Sequence, residues 1–167
     1  MRNEPFVHLL ISLWDCPDPV RRGELLACLQ RNRANPLIGR IHVFVEAGCD
    51  SWKNDLQGER IEIVNHEGYP SFATFIDYAN RRLAGEVVAI ANTDIYFDAS
   101  LELLREQNLD REVFALTRHN EHPYMSWNGR CWERNYGSQD VWIFRAPLPP
   151  VSTDARPGWS VNSNEIF

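Results

Sequence analysis

The most informative stretch of the chain is an apolar run at residues 87–91 that ends in the polar triplet Asn92-Thr93-Asp94. The run contains only Val, Ala and Ile, which is typical of a strand buried on both faces of a parallel sheet. Ligands of open α/β sheets bind at the carboxyl ends of such strands. In an extended segment Asn92 and Asp94 would project to the same side, where two oxygen-bearing side chains could hold a divalent cation. These residue types are equally common in turns and at helix starts, so the triplet alone leaves both interpretations open.

Apolar runs and helical periodicities alternate along the chain in the order strand, helix, strand, strand, helix, strand. A well-patterned helix follows Ser71 and ends before Gly85, and another starts at Asp18-Pro19. This alternation predicts an α/β fold with a mostly parallel central sheet and helices on both faces. The predicted strands lie at residues 6–13, 41–46, 61–64, 87–91, 113–116 and 141–144, with a short helix at 100–107.

The segment 118–139 shows no strand or helix pattern, yet it contains four aromatic residues: Tyr124, Trp127, Trp132 and Tyr136. Disordered segments are normally poor in aromatic residues, and long irregular connections inside a domain are usually functional. We therefore expect this segment to take part in a binding site.

Composition limits the classes of protein that this chain can represent. The chain has 167 residues, a formal net charge of −6 and a pI of about 5.3, so general nucleic-acid binding is not expected. Local basic pairs at Arg21-Arg22 and Arg81-Arg82 could still contact phosphates. No apolar run is long enough to span a membrane, and the first residues do not form a signal-peptide pattern. Four scattered cysteines without a Cys-x-x-Cys pair favour a cytoplasmic location and argue against a zinc site.

Three runs of the sequence, in the right order, resemble segments of GT-A fold glycosyltransferases. The run from Gly85 to Asp94 resembles the segment that leads to the Asp-x-Asp motif of these enzymes. The run from Gly137 to Arg145 resembles a second signature, found in a group of bacterial and viral glycosyltransferases, and residues 35–46 fit that group too. The similarity spans residues 6–147.

This resemblance implies a Rossmann-like GT-A (nucleotide-diphospho-sugar transferase) fold and sugar transfer from a UDP- or GDP-sugar donor to an acceptor that the sequence does not identify. It implies that Asp94 holds Mn²⁺ or Mg²⁺ against the donor diphosphate. Asn92 stands where the family has its first Asp, so one anionic ligand fewer is present, and Asn92 could instead bind the ribose or the donor sugar. Glu46 matches a position that meets the nucleotide base or ribose, and Asn80 and Arg81 match a region that contacts the donor.

The same resemblance suggests residues for the acceptor side. Sugar transfer needs stabilisation of the leaving nucleoside diphosphate, which a divalent cation provides, and a carboxylate that takes a proton from the acceptor hydroxyl. Asp140 is our candidate for the base, because it precedes a buried strand beside the aromatic segment. Tyr124, Trp127 and Trp132 could stack on the acceptor sugar, although packing alone would also account for such aromatic side chains.

We expect a single domain over residues 1–167, with a nucleotide-sugar donor half at 1–98 and a shortened acceptor half at 99–167. The family carries a further acidic motif and a late His after its last signature strand, and no His follows Ala146 here. We therefore expect weak nucleoside-diphosphate binding and slow or absent sugar transfer, unless a partner chain, such as a second copy in a homo-oligomer, completes the acceptor side.

Three other classes remain open on the sequence alone. A non-catalytic nucleotide- or sugar-binding protein would fit a degenerate Asp-x-Asp motif. A nucleotidyltransferase of GT-A-like fold is a further alternative, although the turn at residues 14–19 lacks the glycines that let backbone amides approach phosphates. A phosphohydrolase of the haloacid dehalogenase type uses the first Asp of its Asp-x-Asp as the nucleophile, and that position is Asn92.

Overall fold

A computed structural model describes residues 4–110, 112–117 and 139–149, together with the backbone of residues 124–125 and 131–132. The strands in chain order are β1 (Val7–Leu13), β2 (Ile38–Glu46), β3 (Ile61–His66), β4 (Val87–Ala91), β5 (Phe114–Leu116), β6 (Tyr124–Met125), β7 (Cys131–Trp132) and β8 (Val141–Arg145). The helices are α1 (Pro19–Ala34), α2 (Phe72–Arg82) and a 3₁₀ helix (Ala99–Glu106).

Within these residues, six strands form one sheet in the order β3-β2-β1-β4-β8-β5. Strands β1, β2, β3 and β4 run parallel to one another, and β8 runs antiparallel to both β4 and β5. The predicted α/β fold with a mostly parallel sheet is therefore confirmed.

The two faces of the sheet are covered by different helices, because side chains alternate between the faces along each strand. Leu9 and Ile11 of β1 belong to the same apolar cluster as Leu25 and Leu29 of α1. Leu10, between them, belongs to a second cluster with Phe75 and other residues of α2. All five residues of β4 are buried, as expected for a strand covered on both faces.

Side chains that cap the helices explain where both α-helices begin. The Asp18 carboxylate accepts hydrogen bonds from the backbone N–H groups of Val20 and Arg21, and Pro19 takes the first helical position. Ser71 and Thr74 form a reciprocal capping box at the start of α2. Both helix starts agree with the prediction from sequence.

Two details of the fold differ from the sequence prediction. Strand β2 begins at Ile38 rather than at residue 41. The segment 118–139, predicted to contain no strand, includes the antiparallel pair β6–β7, in which Tyr124 lies opposite Trp132. Strands of two residues are too short to show an alternating pattern, so the sequence gives no signal for them.

A buried polar network crosses the α2 face of the sheet. His8 Nδ1 lies 3.0 Å from His42 Nε2, and His42 Nδ1 lies 2.9 Å from the Tyr78 hydroxyl. That hydroxyl donates to Glu62 Oε1 at 3.0 Å, and Arg40 donates to Glu62 Oε2 at 3.2 Å. These polar groups lie at the edge of the core on the α2 side of the sheet. The network gives them the hydrogen-bond partners that buried polar groups need.

Burial controls the protonation of this network. His42 is 2% exposed, and burial lowers its pKa from 6.5 to about 4. Burial also lowers the pKa of His8, and burial with the hydrogen bond to Glu62 raises the pKa of Tyr78 to about 12. Burial alone would raise the pKa of Glu62, but hydrogen bonds from Arg40 and Tyr78 outweigh it and the net shift is downward. Both histidines are therefore neutral at pH 7.

We expect the free energy of unfolding to fall steeply between about pH 6.5 and pH 4. In that window the unfolded chain binds protons that folded His42 excludes, so stability present above pH 6.5 is lost as the pH falls, by about 3 kcal/mol for His42 alone. Glu62, with its lowered pKa, adds a loss of the same sign. Urea unfolding at several pH values measures this slope. His42→Gln should flatten it, and a slope equal to that of the unaltered protein would contradict the assignment.

Candidate functional site

The chain changes direction across the sheet between β1 and β4. From β1 it passes through α1 to β2 and β3 on one side, and it returns through α2 to β4 on the other side of β1. The loops that leave β1 and β4 therefore diverge, which opens a crevice at the carboxyl ends of these strands. We call this region the β1/β4 crevice, and its described polar side chains are Arg21, Asn92, Thr93, Asp94 and Asp140.

Asn92 and Asp140 meet at this edge because β8 runs antiparallel to β4. Ala91 pairs with Val141, so the residue that precedes β8 lies beside the residue that follows β4. The Asn92 side chain donates from Nδ2 to Asp140 Oδ1 at 2.9 Å, and the Asn92 backbone N–H donates to the Asp140 carbonyl at 3.1 Å. Asp140 is only 4% exposed. The amide thus holds the buried carboxylate in one orientation.

Asp94 is held from the opposite direction by α1. Arg21, in the first turn of α1, donates from Nη2 to Asp94 Oδ2 at 2.8 Å and from Nη1 to Glu24 Oε2 at 3.0 Å. The hydrogen bond to Asp94 is the main cause that raises the pKa of Arg21, so this guanidinium is permanently charged. The side chains of Arg21 and Asp94 are 40% and 27% exposed, so a ligand can reach the pair.

The triplet is not extended, which corrects the expected geometry. Residues 93–94 form a turn in which the Ile95 N–H donates to the Asn92 carbonyl at 3.1 Å. The buried Thr93 hydroxyl donates to the Ser12 carbonyl near the end of β1. As a result Asn92 is bonded to β8 and Asp94 to α1. Asn92, Thr93 and Asp94 therefore form a turn and also belong to the candidate site, so both interpretations of the triplet apply.

Polar side chains along one stripe of α1 bind the backbone that follows the triplet. Cys28 donates to the Asp94 carbonyl at 3.3 Å. Asn32, which is 1% exposed, donates to the Ile95 carbonyl at 2.9 Å and accepts from the Phe97 N–H at 3.0 Å, and Asn35 donates to the Phe97 carbonyl at 3.0 Å. These bonds fix segment 94–98 along α1.

Sequence reasoning did not identify Arg21 or Asn32 as partners of the β4 loop. The sequence does contain a signal for Asn32. It lies seven residues after Leu25 and three after Leu29, so it falls on the same buried stripe of α1 as these two apolar residues. An amide on an otherwise apolar stripe indicates that backbone groups pack against the helix at that point.

The predicted donor-binding residues are not all at the crevice. Glu46 is exposed at the carboxyl end of β2, on the same edge, but β1 separates it from β4, a span of about 10 Å. Asn80 and Arg81 are in the last turn of α2, which leads to the amino end of β4, so they lie at the opposite edge of the sheet. The reason is that a helix between two parallel strands runs back across the sheet.

Other bonds occupy these two α2 residues. Asn80 donates to the Leu148 carbonyl at 2.7 Å and accepts from the Leu148 N–H at 2.8 Å, which fastens the segment after β8. Arg81 donates to Asp77 one turn earlier. The structure does not bring either of them to Asp94.

Two of the three predicted acceptor residues belong to the short strands β6 and β7. Tyr124 and Trp132 lie opposite each other in the β6–β7 pair. Trp127 lies outside the described residues. Their stacking role stays a prediction.

The described residues would hold a divalent ion only together with a ligand that brings further oxygen atoms. The described part of the chain contains no group of three or more His, Cys, Asp or Glu side chains that could hold a metal ion. Mg²⁺ is commonly bound through one or two carboxylates together with substrate phosphates, and Asp94 could provide one such carboxylate beside its bond to Arg21. Mn²⁺ or Mg²⁺ therefore stays a prediction that depends on a phosphate ligand.

Comparison with known proteins shows that this chain is similar in fold to several solved structures. No protein-family model matches this chain, and no curated protein matches it. The structure of 4-diphosphocytidyl-2C-methyl-D-erythritol synthase from Anaerococcus prevotii DSM 20548 is similar over 84% of this chain and 70% of that chain, with TM-score 0.56 and 12% identity. HddC from Yersinia pseudotuberculosis is similar over 83% of this chain and 76% of that chain, with TM-score 0.57 and 10% identity. HddC complexed with GMP-PN has TM-score 0.51 and 9% identity, over 84% of this chain and 73% of that chain.

These similarities confirm the expected Rossmann-like fold. At such low identity they show the fold alone. The proteins named are a synthase and HddC, so they do not test the resemblance to glycosyltransferases. Among the helices that the structure describes, none is both long and apolar enough to cross a membrane.

We expect Asn32→Ala to destabilise the protein by about 2–4 kcal/mol. The change removes two hydrogen bonds and leaves the partly buried Ile95 carbonyl and Phe97 N–H without their partner. Urea unfolding measures the loss, and Gln30→Ala, on the exposed side of α1, is the matched control, with a change below about 0.5 kcal/mol. Similar stabilities for the two variants would show that segment 94–98 does not depend on Asn32.

Proposed function

We propose that this protein is a transferase that binds a nucleoside-diphosphate-linked substrate in the β1/β4 crevice. The supporting observation is the convergence of Arg21, Asp94, Asn92 and Asp140 at the carboxyl ends of the two strands that flank the change of direction. One cation and two carboxylates at such an edge suit a ligand that brings both phosphate oxygens and hydroxyl groups.

Glycosyl transfer from a UDP- or GDP-sugar is the reaction that we favour. The diphosphate would lie near the first turn of α1, where the Arg21 guanidinium and the positive end of the helix dipole both favour an anion. A divalent cation bound with the diphosphate would be held by Asp94 and would supply the Lewis acid for departure of the nucleoside diphosphate.

Asp140 has the position of a general base in this proposal. Its carboxylate is buried beside the crevice and oriented by the Asn92 amide, so it could take the proton of an acceptor hydroxyl as the sugar is transferred. The acceptor itself is not identified by the described residues.

Nucleotidyl transfer is the second candidate, and the similarity to a synthase whose name specifies a diphosphocytidyl product favours it. One feature opposes it. A triphosphate needs free backbone amides after β1, but the turn at residues 14–19 has two prolines and no glycine. The first amides of α1 are also already bonded, since Asp18 Oδ1 accepts from Val20 N at 2.9 Å and from Arg21 N at 3.4 Å.

Ligand binding and product analysis separate the candidates. Calorimetric titration with UDP, GDP, UDP-glucose, GDP-mannose and CTP, each with and without Mn²⁺, identifies the ligand class. Release of a nucleoside diphosphate from a nucleotide sugar indicates glycosyl transfer, whereas release of pyrophosphate from a nucleoside triphosphate and a sugar phosphate indicates nucleotidyl transfer. Binding without either product indicates a non-catalytic protein, and no binding of any of these compounds contradicts the proposal.

We expect Asp94→Ala to abolish the Mn²⁺-dependent part of nucleoside-diphosphate binding while the fold stays intact. The matched control is Asp55→Ala, because Asp55 forms an ion pair of similar length and exposure with Arg22, the next residue of α1. Calorimetry with UDP and GDP gives the affinities, and circular dichroism checks the fold. Metal-dependent binding that survives in Asp94→Ala would overturn the role of Asp94.

We expect Asp140→Asn to lower the rate of nucleoside-diphosphate release about 100-fold or more, the scale of general-base catalysis, and to change donor affinity only a few-fold. The measurement uses saturating donor with a panel of simple saccharides as acceptors. A variant that loses donor affinity but keeps its rate at saturation would assign Asp140 to donor binding instead.

A further inference from the structure

A second cavity lies at the other end of α1. It has a volume of about 620 Å³ and is bounded by the last turn of α1, the residues that follow it and the start of the 3₁₀ helix. Pro36, Leu37, Tyr96 and Phe97 contribute apolar walls. This volume is in the range of cavities that bind small molecules.

The cavity is separate from the β1/β4 crevice. Arg31, which lines it, is ten residues after Arg21, so the two regions are about 15 Å apart along the axis of α1. Segment 94–98 runs between them, with Asp94 at the crevice and Tyr96, Phe97 and Asp98 at the cavity. No role in the proposed transfer uses the cavity.

A buried carboxylate oxygen lacks a partner at this cavity. Glu102 lines it, and its Oε1 accepts from Arg105 Nε at 2.9 Å. Within the described residues, Glu102 Oε2 is buried and no hydrogen-bond donor is within reach. Buried polar atoms are nearly always bonded, so this acceptor calls for a donor that the described residues do not supply.

The charges around the cavity favour a cationic donor. Asp98 and Glu102 contribute two carboxylates to the lining and Arg31 contributes one guanidinium, while Arg105, which does not line the cavity, is bonded to Glu102 Oε1. Arg31 is stacked over the Tyr96 ring, with 4.3 Å between its Cζ and the ring centroid.

We propose that this cavity binds a small aromatic amine. The aromatic ring packs against Pro36, Leu37 and Tyr96, and the ammonium group donates a hydrogen bond to Glu102 Oε2. A flat apolar ring matches the walls, and a primary ammonium supplies both the donor and the positive charge that the carboxylates favour.

Tryptamine is the probe that tests this proposal, with indole-3-propionate as its counterpart, because the ring is the same and the charge is opposite. Calorimetry and ligand-observed NMR on the full chain should show saturable tryptamine binding at millimolar concentration or below, and binding of indole-3-propionate at least about tenfold weaker. Equal binding of both compounds, or no binding of tryptamine, overturns the proposal.

Two variants test whether tryptamine binds in this cavity. Glu102→Gln removes the charge but keeps the shape and should weaken tryptamine binding about tenfold or more, whereas Glu106→Gln, an exposed residue of the same 3₁₀ helix that does not line the cavity, should leave it unchanged. Ala34→Trp fills the cavity from α1 and should abolish binding, with thermal melting as the check that the variant is folded. Tryptamine binding that is unaffected by both Glu102→Gln and Ala34→Trp overturns the assignment.

Discussion

The pairing of β4 with β1 on one side and β8 on the other is the constraint on which the rest of the structure depends. All of β4 is buried, so its backbone groups must bond within the sheet. The parallel partner β1 brings α1 to the polar triplet, and the antiparallel partner β8 brings Asp140 to the same edge. A parallel β8 would place Asp140 at the opposite end of the sheet, and the crevice would lose its buried carboxylate.

The second requirement concerns the irregular segment after β4. Its backbone N–H and C=O groups need hydrogen-bond partners while the segment lies against a helix. Segment 94–98 has no strand partner in the described residues, and the polar stripe of α1 replaces one. Asn32 offers a donor and an acceptor at once, as a neighbouring strand would. This explains the presence of an amide at a buried helix position, where Leu would otherwise be favoured.

The proposed functions use the two ends of α1 in opposite electrostatic senses. The first turn carries the positive end of the helix dipole and Arg21, which suits a diphosphate. The last turn lies near the carboxylates of Asp98 and Glu102, which suit an amine. One helix can therefore serve an anionic and a cationic ligand because about 15 Å of backbone separates its ends.

The sequence by itself determined the elements whose signals are local. The apolar run of β4, the cap at Asp18 and the capping box at Ser71 each lie within a few residues, so periodicity and capping chemistry predict them. The position of the polar triplet at the carboxyl end of a buried strand followed from the same pattern. The strand order follows in part, because the alternation of strands and helices predicts parallel pairing.

Only the tertiary structure decided which side chains meet. Asp140 is 48 residues from Asn92, and Arg21 is 73 residues from Asp94, so their contacts depend on how distant strands and helices pack. The same dependence placed Asn80 at the far edge of the sheet, although it precedes β4 closely in sequence. The turn at residues 93–94 also rotates Asn92 and Asp94 towards different partners, because side-chain direction follows the backbone dihedrals and not the residue spacing.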